Sequence, residues 1–102
     1  MDHATGMPVD PRVFEAMKPY FAEDYGNPSS SHSLGANAKN ALAESREKVA
    51  QLVGAETPEE VIFTSGGTES NNLAIKGVAY RNKEKGNHII TTTIEHISVI
   101  NI

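Results

Sequence analysis

Apolar and polar positions repeat at helical spacing over most of this 102-residue chain, and short apolar runs interrupt the repeat twice. Val13, Phe14, Met17, Tyr20 and Phe21 share one side of a helix that Asp10-Pro11 opens, with Asp10 as N-cap and proline at the first helical position. Pro19 kinks or restarts that helix. A longer amphipathic helix is predicted from about Leu34 to Val53. Ala38, Ala41, Leu42, Ser45, Val49, Leu52 and Val53 form one face, Lys39, Glu44, Glu47, Lys48 and Gln51 the other, and Gly54 the stop. Glu44 and Lys48 have the favourable order for an i,i+4 pair. Thr57-Pro58-Glu59-Glu60 has capping-box spacing and predicts a single turn. Met1 to Val9 reads as an irregular or extended arm, and Asp24 to Ser33, dense in turn formers, as a loop.

The two interruptions read as strands. Val61 to Ser65 is a short apolar run that suits a strand covered on both faces, and His88 to Thr93 is rich in β-branched residues. Between them, Thr68 to about Tyr80 returns to helical spacing through Leu73, Ala74, Val78 and Ala79, and Lys83 to Asn87 closes it with charge and a glycine. Strand, helix, strand in this order predicts parallel strands joined by a right-handed crossover. No internal repeat, low-complexity tract or interdomain linker is visible.

Composition narrows the classes. A hydrophobic fraction of 38% and a charged fraction of 22% argue against wholesale disorder and for one small domain with a modest core. The net charge of -4, with lysines and arginines scattered, excludes the basic stripe of a nucleic-acid binder. With no cysteine, these residues form no disulfide, thiolate metal site or cysteine nucleophile. No segment has signal-peptide or membrane-spanning character, so no membrane partner and a cytoplasmic location are expected. The apolar end, Ser98 to Ile102, reads as a chain that continues.

The most informative stretch is the junction Ser65-Gly66-Gly67-Thr68-Glu69-Ser70. Two glycines let the backbone turn and approach a ligand. The next helix then begins with free N–H groups and the positive end of its dipole, and Thr68 and Ser70 add hydroxyl donors. That set suits a phosphate beyond the carboxyl end of a strand; the same residues also make an ordinary tight turn with a threonine cap. A nucleotide P-loop is excluded because no lysine follows at the required spacing, and a dinucleotide fingerprint because the third glycine is missing. Glu69 in the first turn complements the helix dipole.

Glu95-His96 follows the second predicted strand at its carboxyl end. His96 there either shuttles protons beside the glycine turn or lies flat on an aromatic cofactor, or it is a surface loop histidine. The four histidines lack the paired spacing of a zinc helix, and no serine sits in a Gly-x-Ser-x-Gly elbow, so metal and serine-hydrolase chemistry have no support. Asn27, Ser29, Ser30, Ser31 and His32 form a polar loop, able to line a pocket or simply to be solvated.

Four stretches in order carry a family resemblance. They are Asp2-His3-Ala4-Thr5 with Pro8 to Val13, Gly26 to His32, Ile62 to Ile75, and His88-Ile89-Ile90 with Glu95-His96. Together they resemble the cysteine desulfurases of the NifS/IscS type, within the class V aminotransferase group, over nearly the whole chain. The resemblance implies an α/β fold: part of the three-layer large domain of a fold-type-I pyridoxal-5'-phosphate (PLP) enzyme, with an N-terminal helical arm. Residues 1–55 would form the arm and helices, and 56–102 the start of the PLP-binding domain.

In that family the cofactor phosphate sits on the turn matching Gly67 and Thr68, and the histidine matching His96 covers the pyridine ring and is placed to move protons. Ala4, Thr5, Asn27 and His32 match segments near the substrate, sometimes across a dimer interface. A lysine holds PLP as a Schiff base, and a cysteine takes the sulfur of L-cysteine as a persulfide and leaves alanine. An iron–sulfur scaffold or another acceptor then receives the sulfur, and the intact enzyme is a homodimer.

This chain departs from the family in two places. Gly67 stands where alanine is usual, which leaves the backbone donors in place. Gly6-Met7 stands where threonines are common, which removes a hydroxyl role there. The family's Schiff-base lysine, pyridine-nitrogen aspartate, substrate-carboxylate arginine and persulfide cysteine all lie beyond the matched stretches, and Lys76 on the helix after the phosphate turn does not replace the lysine. The chain alone is therefore expected to be inactive. Its two strands would be separated in the family's sheet by strands from later sequence, so it is expected not to fold stably by itself. Two rivals remain: another class V enzyme, such as a selenocysteine lyase, kynureninase or aminotransferase, and a non-catalytic phosphate-ligand or protein-binding module.

Overall fold

The computed structural model describes residues 6–102, so the expectations for Ala4 and Thr5 fall outside the described residues. The elements are α1 (Pro11–Met17), α2 (Pro19–Ala22), α3 (Ser33–Val53), a 3-10 turn (Pro58–Glu60), α4 (Gly67–Arg81) and α5 (Ile97–Ile100). They divide into two compact units, Met1–Val61 and Ile62–Ile102.

In the first unit the punctuation acts as its chemistry requires. Asp10 caps α1, its Oδ1 accepting from the Arg12 N–H at 2.8 Å while Pro11 fills the first helical position. Helix α1 ends before Pro19, which opens α2. Helix α3 closes in a Schellman arrangement: Gly54 takes a left-handed conformation (φ 71°), and the N–H groups of Gly54 and Ala55 reach back to Gln51 and Ala50. The 3-10 turn packs on α3, with the Thr57 N–H donating to Glu60 Oε1 at 3.3 Å and the Arg46 guanidinium donating to the Val61 carbonyl. Glu44 and Lys48 do not close an ion pair, because an exposed pair of this kind gains little against the entropy of fixing two long side chains.

The loop before α3 lies against the helix it feeds. Asn27 Oδ1 accepts from the Ser29 N–H at 2.9 Å, and the Asn27 carbonyl accepts from the Ser30 N–H at 2.9 Å. A Cβ on Gly26 would strike the Leu34 carbonyl, and one on Gly35 would strike the Ser30 carbonyl. Glycine at both positions is therefore a packing requirement.

The second unit corrects the strand expectations. Among the described residues there is no strand: neither Val61 to Ser65 nor His88 to Thr93 forms a ladder with another described segment. A strand is defined by its ladder, and the described residues supply neither segment with one. Their apolar side chains are correspondingly uncovered, with Ile62 64% and Ile90 92% exposed. The predicted helix between them is present as α4, one residue earlier than expected, with Gly66 as N-cap. Helix α5 was not foreseen; it is a single turn packed on α4 and capped by His96.

Candidate functional site

The start of α4 is built from hydroxyls and one carboxylate. Glu69 Oε2 accepts from the Ser65 N–H and from the Ser65 hydroxyl, both at 2.6 Å, which ties the end of the preceding segment across the turn. Those two bonds, the hydroxyl first, hold the Glu69 carboxyl below its ordinary pKa. Ser70 Oγ lies 3.2 Å from the Gly66 carbonyl and 2.6 Å from Thr64 Oγ1, and Thr64 Oγ1 is itself 3.2 Å from that carbonyl. Thr64 and Ser70 have two protons between them, and both are spent inside the turn. Ser70, expected as a phosphate donor, is thus part of the frame.

What this frame leaves open is a donor set. The N–H groups of Gly67, Thr68 and Glu69 have no acceptor among the described residues, and neither does the Thr68 hydroxyl. A Cβ built on Gly66 or Gly67 would meet nothing within 4 Å, so neither glycine is packed against another group on that side. Outward N–H groups, a hydroxyl and the positive end of a 15-residue helix suit a phosphate dianion. Gly67 and Thr68 therefore fit the phosphate of PLP. Lys76 bonds Asn72 Oδ1 at 2.8 Å on the exposed side of α4.

His96 is held to the same helix through two residues that the sequence did not single out. Its Nδ1 accepts from the Ser98 N–H at 3.1 Å and lies 2.8 Å from Ser98 Oγ. Asn71 Nδ2 donates to Ser98 Oγ at 2.8 Å. Asn71 stands three positions beyond Thr68 on α4, and two side-chain bonds link α4 to His96 through Ser98. Ser98 is buried, at 8% exposure, whereas His96 is exposed. The signal for this link was present in part, since Ser98 falls at the second position of a helix that His96 caps. Its partner Asn71, 27 residues away, had no local signal.

Asn27 and His32 lie in the first unit. His32 caps α3, with Nδ1 accepting from the Gly35 N–H at 3.4 Å. Each thus has one side-chain atom engaged in local structure. An open groove of about 700 Å³ is at the other end of α4, where Ala74, Val78, Ala79 and Ile89 line it. Its surface is mostly apolar, with Tyr80, Lys83, Lys85 and His88 also in the lining. No group of three or more His, Cys, Asp or Glu among the described residues could hold a metal, and no helix among them is long and apolar enough to cross a membrane.

A glycine turn with open donors at a helix start and a tethered histidine beyond it suit a phosphate-bearing ligand. The chain belongs to the aminotransferase class-V family, whose model matches residues 1–102. Among curated relatives, it is 52% identical over 100 residues to cysteine desulfurase IscS of Dictyoglomus turgidum, covering 98% of this chain and 25% of that protein. It is 57% identical over 101 residues to cysteine desulfurase IscS of Rickettsia massiliae, covering 98% and 24%. The chain thus spans about a quarter of the length of these relatives. Among solved structures, a NifS-like protein superposes with a TM-score of 0.86 at 42% identity, over 98% of this chain and 27% of that one. The expected fold class, part of a fold-type-I large domain with an N-terminal helical arm, agrees with this match.

Proposed function

We propose that this chain is the N-terminal part of a PLP-dependent cysteine desulfurase, which converts L-cysteine to L-alanine and passes the sulfur on as a persulfide. The observation that carries the reading is the open start of α4, with three unpaired N–H groups and the Thr68 hydroxyl beside Gly67. PLP, when bound, supplies an electron sink for bonds at the amino acid's α-carbon. Gly67 and Thr68 bind and orient its phosphate. Asn71 and Ser98 hold His96, which covers the ring and carries a proton at Nε2, the nitrogen not engaged by Ser98.

Residues 1–55 serve as the arm and helices, and 56–102 as the start of the PLP-binding domain. Ala4, Thr5, Asn27 and His32 contribute to the substrate pocket. The intact enzyme is a cytoplasmic homodimer that delivers sulfur to an iron–sulfur scaffold or another acceptor. This chain has no cysteine, so its own residues cannot carry the persulfide, and by itself it does not turn over.

The names of the relatives favour desulfuration over the other class V reactions. The test is product balance. Full-length protein, loaded with PLP and given L-cysteine and a reducing thiol, should release alanine and sulfide one for one. Turnover of kynurenine or of an amino donor in place of cysteine would sink the proposal.

A further inference from the structure

Three atoms near the start of α5 settle which nitrogen of His96 bears its proton. The Ser98 N–H is a donor and cannot be anything else, and it points to His96 Nδ1 at 3.1 Å. Nδ1 is therefore an acceptor and carries no hydrogen. Ser98 Oγ also lies 2.8 Å from Nδ1, and two lone pairs at that distance repel, so the hydroxyl proton is directed at the ring. That leaves Ser98 Oγ only lone pairs for its remaining neighbour. Asn71 must then present its amide nitrogen, which is the orientation observed, with Nδ2 at 2.8 Å. The polarity of the whole chain follows from one backbone amide.

The arrangement also resists change. Ser98 is buried and at least two of its groups are committed to His96, whereas His96 Nε2 has no partner among the described residues. Moving the ring proton to Nδ1 would set it against the Ser98 N–H, which can only donate, and would force the Ser98 hydroxyl to turn away.

We propose that Asn71 and Ser98 are positioning residues that hold His96 as its Nε2–H tautomer, so that the neutral ring presents a proton donor, and not an acceptor, on its free edge. The Ser98 contribution is double, since its N–H and O–H reach the same nitrogen. Asn71 acts through Ser98 by fixing the direction of the hydroxyl. The use of that donor toward a bound amino acid rests on the cysteine desulfurase reading; the tautomer itself does not.

The test is nitrogen-15 NMR of the full-length protein carrying ring-labelled histidine, with the His96 signals assigned by their loss in His96→Gln. The spectrum is recorded at neutral pH before and after addition of PLP. Before addition, wild type should show a pyridine-like Nδ1 and a pyrrole-like Nε2, widely separated. Ser98→Ala, which keeps the backbone N–H but loses the hydroxyl, should draw the two resonances part of the way together, Asn71→Ala should do so to a smaller extent, and Ser98→Thr, which keeps both groups, should preserve the wild-type separation. Averaged or reversed resonances in wild type, or a Ser98→Ala spectrum identical to wild type, would overturn the proposal. The absorbance of bound PLP is read separately. Failure to bind PLP with the separation intact counts against the cofactor reading and leaves the tautomer assignment standing.

Discussion

Ser65 closes on Glu69 through two hydrogen bonds of 2.6 Å, one from its N–H and one from its hydroxyl, both to Oε2. The carboxylate thereby braces the turn whose open face holds the phosphate donors. Bonds of this kind favour the charged form, so the folded pKa of Glu69 lies below its ordinary value, with the Ser65 hydroxyl the larger cause. A lowered folded pKa gives a contribution that is complete above the unfolded value and is lost as pH falls through the folded one.

The first prediction follows from that sign. Glu69→Gln should lower the thermal midpoint of the full-length protein at neutral pH, and the gap from wild type should close as pH is lowered through and below the ordinary carboxylate range. Melting curves at stepped pH check this. A gap that stays constant across the series would show that the charge on Glu69 does not brace the turn.

A second prediction concerns the loop ahead of α3. Gly26→Ala and Gly35→Ala each place a methyl group into a backbone carbonyl, of Leu34 and of Ser30 respectively. Each should cost about 1–3 kcal/mol, the usual range for forced overpacking. Denaturant unfolding of the full-length protein measures it, and an unchanged midpoint in both variants would contradict the close packing of loop on helix.

How much of this was legible follows the range of each interaction. Asp10-Pro11, Pro19, Gly54 and Thr57-Pro58 act within a turn of backbone, and they marked the bounds of α1, α2, α3 and the 3-10 turn to within a residue or two. The glycine turn and the helix after it were equally local. The apolar runs at Val61 to Ser65 and His88 to Thr93 showed the right composition for strands, but composition does not supply a partner edge, and pairing is non-local. The close approach of Gly26 to Leu34 and the bond from Asn71 to Ser98 are tertiary, so neither could be read along the chain. Helix α5 was missed because one turn is too short to show a period.

A third prediction concerns the 102 residues alone. Ala50 is the sole buried hydrophobic among the described residues, whereas Leu52, Tyr80, Ile90 and Ile94 are more than 70% exposed. With so little apolar area removed from water, the ordering entropy of about 1–2 kcal/mol per residue is not offset. The isolated chain should melt without a cooperative transition, and its amides should exchange freely outside α3 and α4. A protected core spanning residues 61–65 and 88–93 would contradict this.

If the start of α4 grips the phosphate of PLP, the protein distinguishes that cofactor from its dephosphorylated form. Full-length protein is titrated with PLP and with pyridoxal, as wild type and as Thr68→Ala. Charged acceptors gain most from such donors, and a factor of ten in affinity corresponds to about 1.4 kcal/mol. Wild type should bind PLP at least about tenfold more tightly than pyridoxal, and Thr68→Ala should narrow that ratio while leaving pyridoxal binding unchanged. Equal affinity for the two ligands in wild type, or a ratio untouched by Thr68→Ala, would show that this turn does not hold the phosphate.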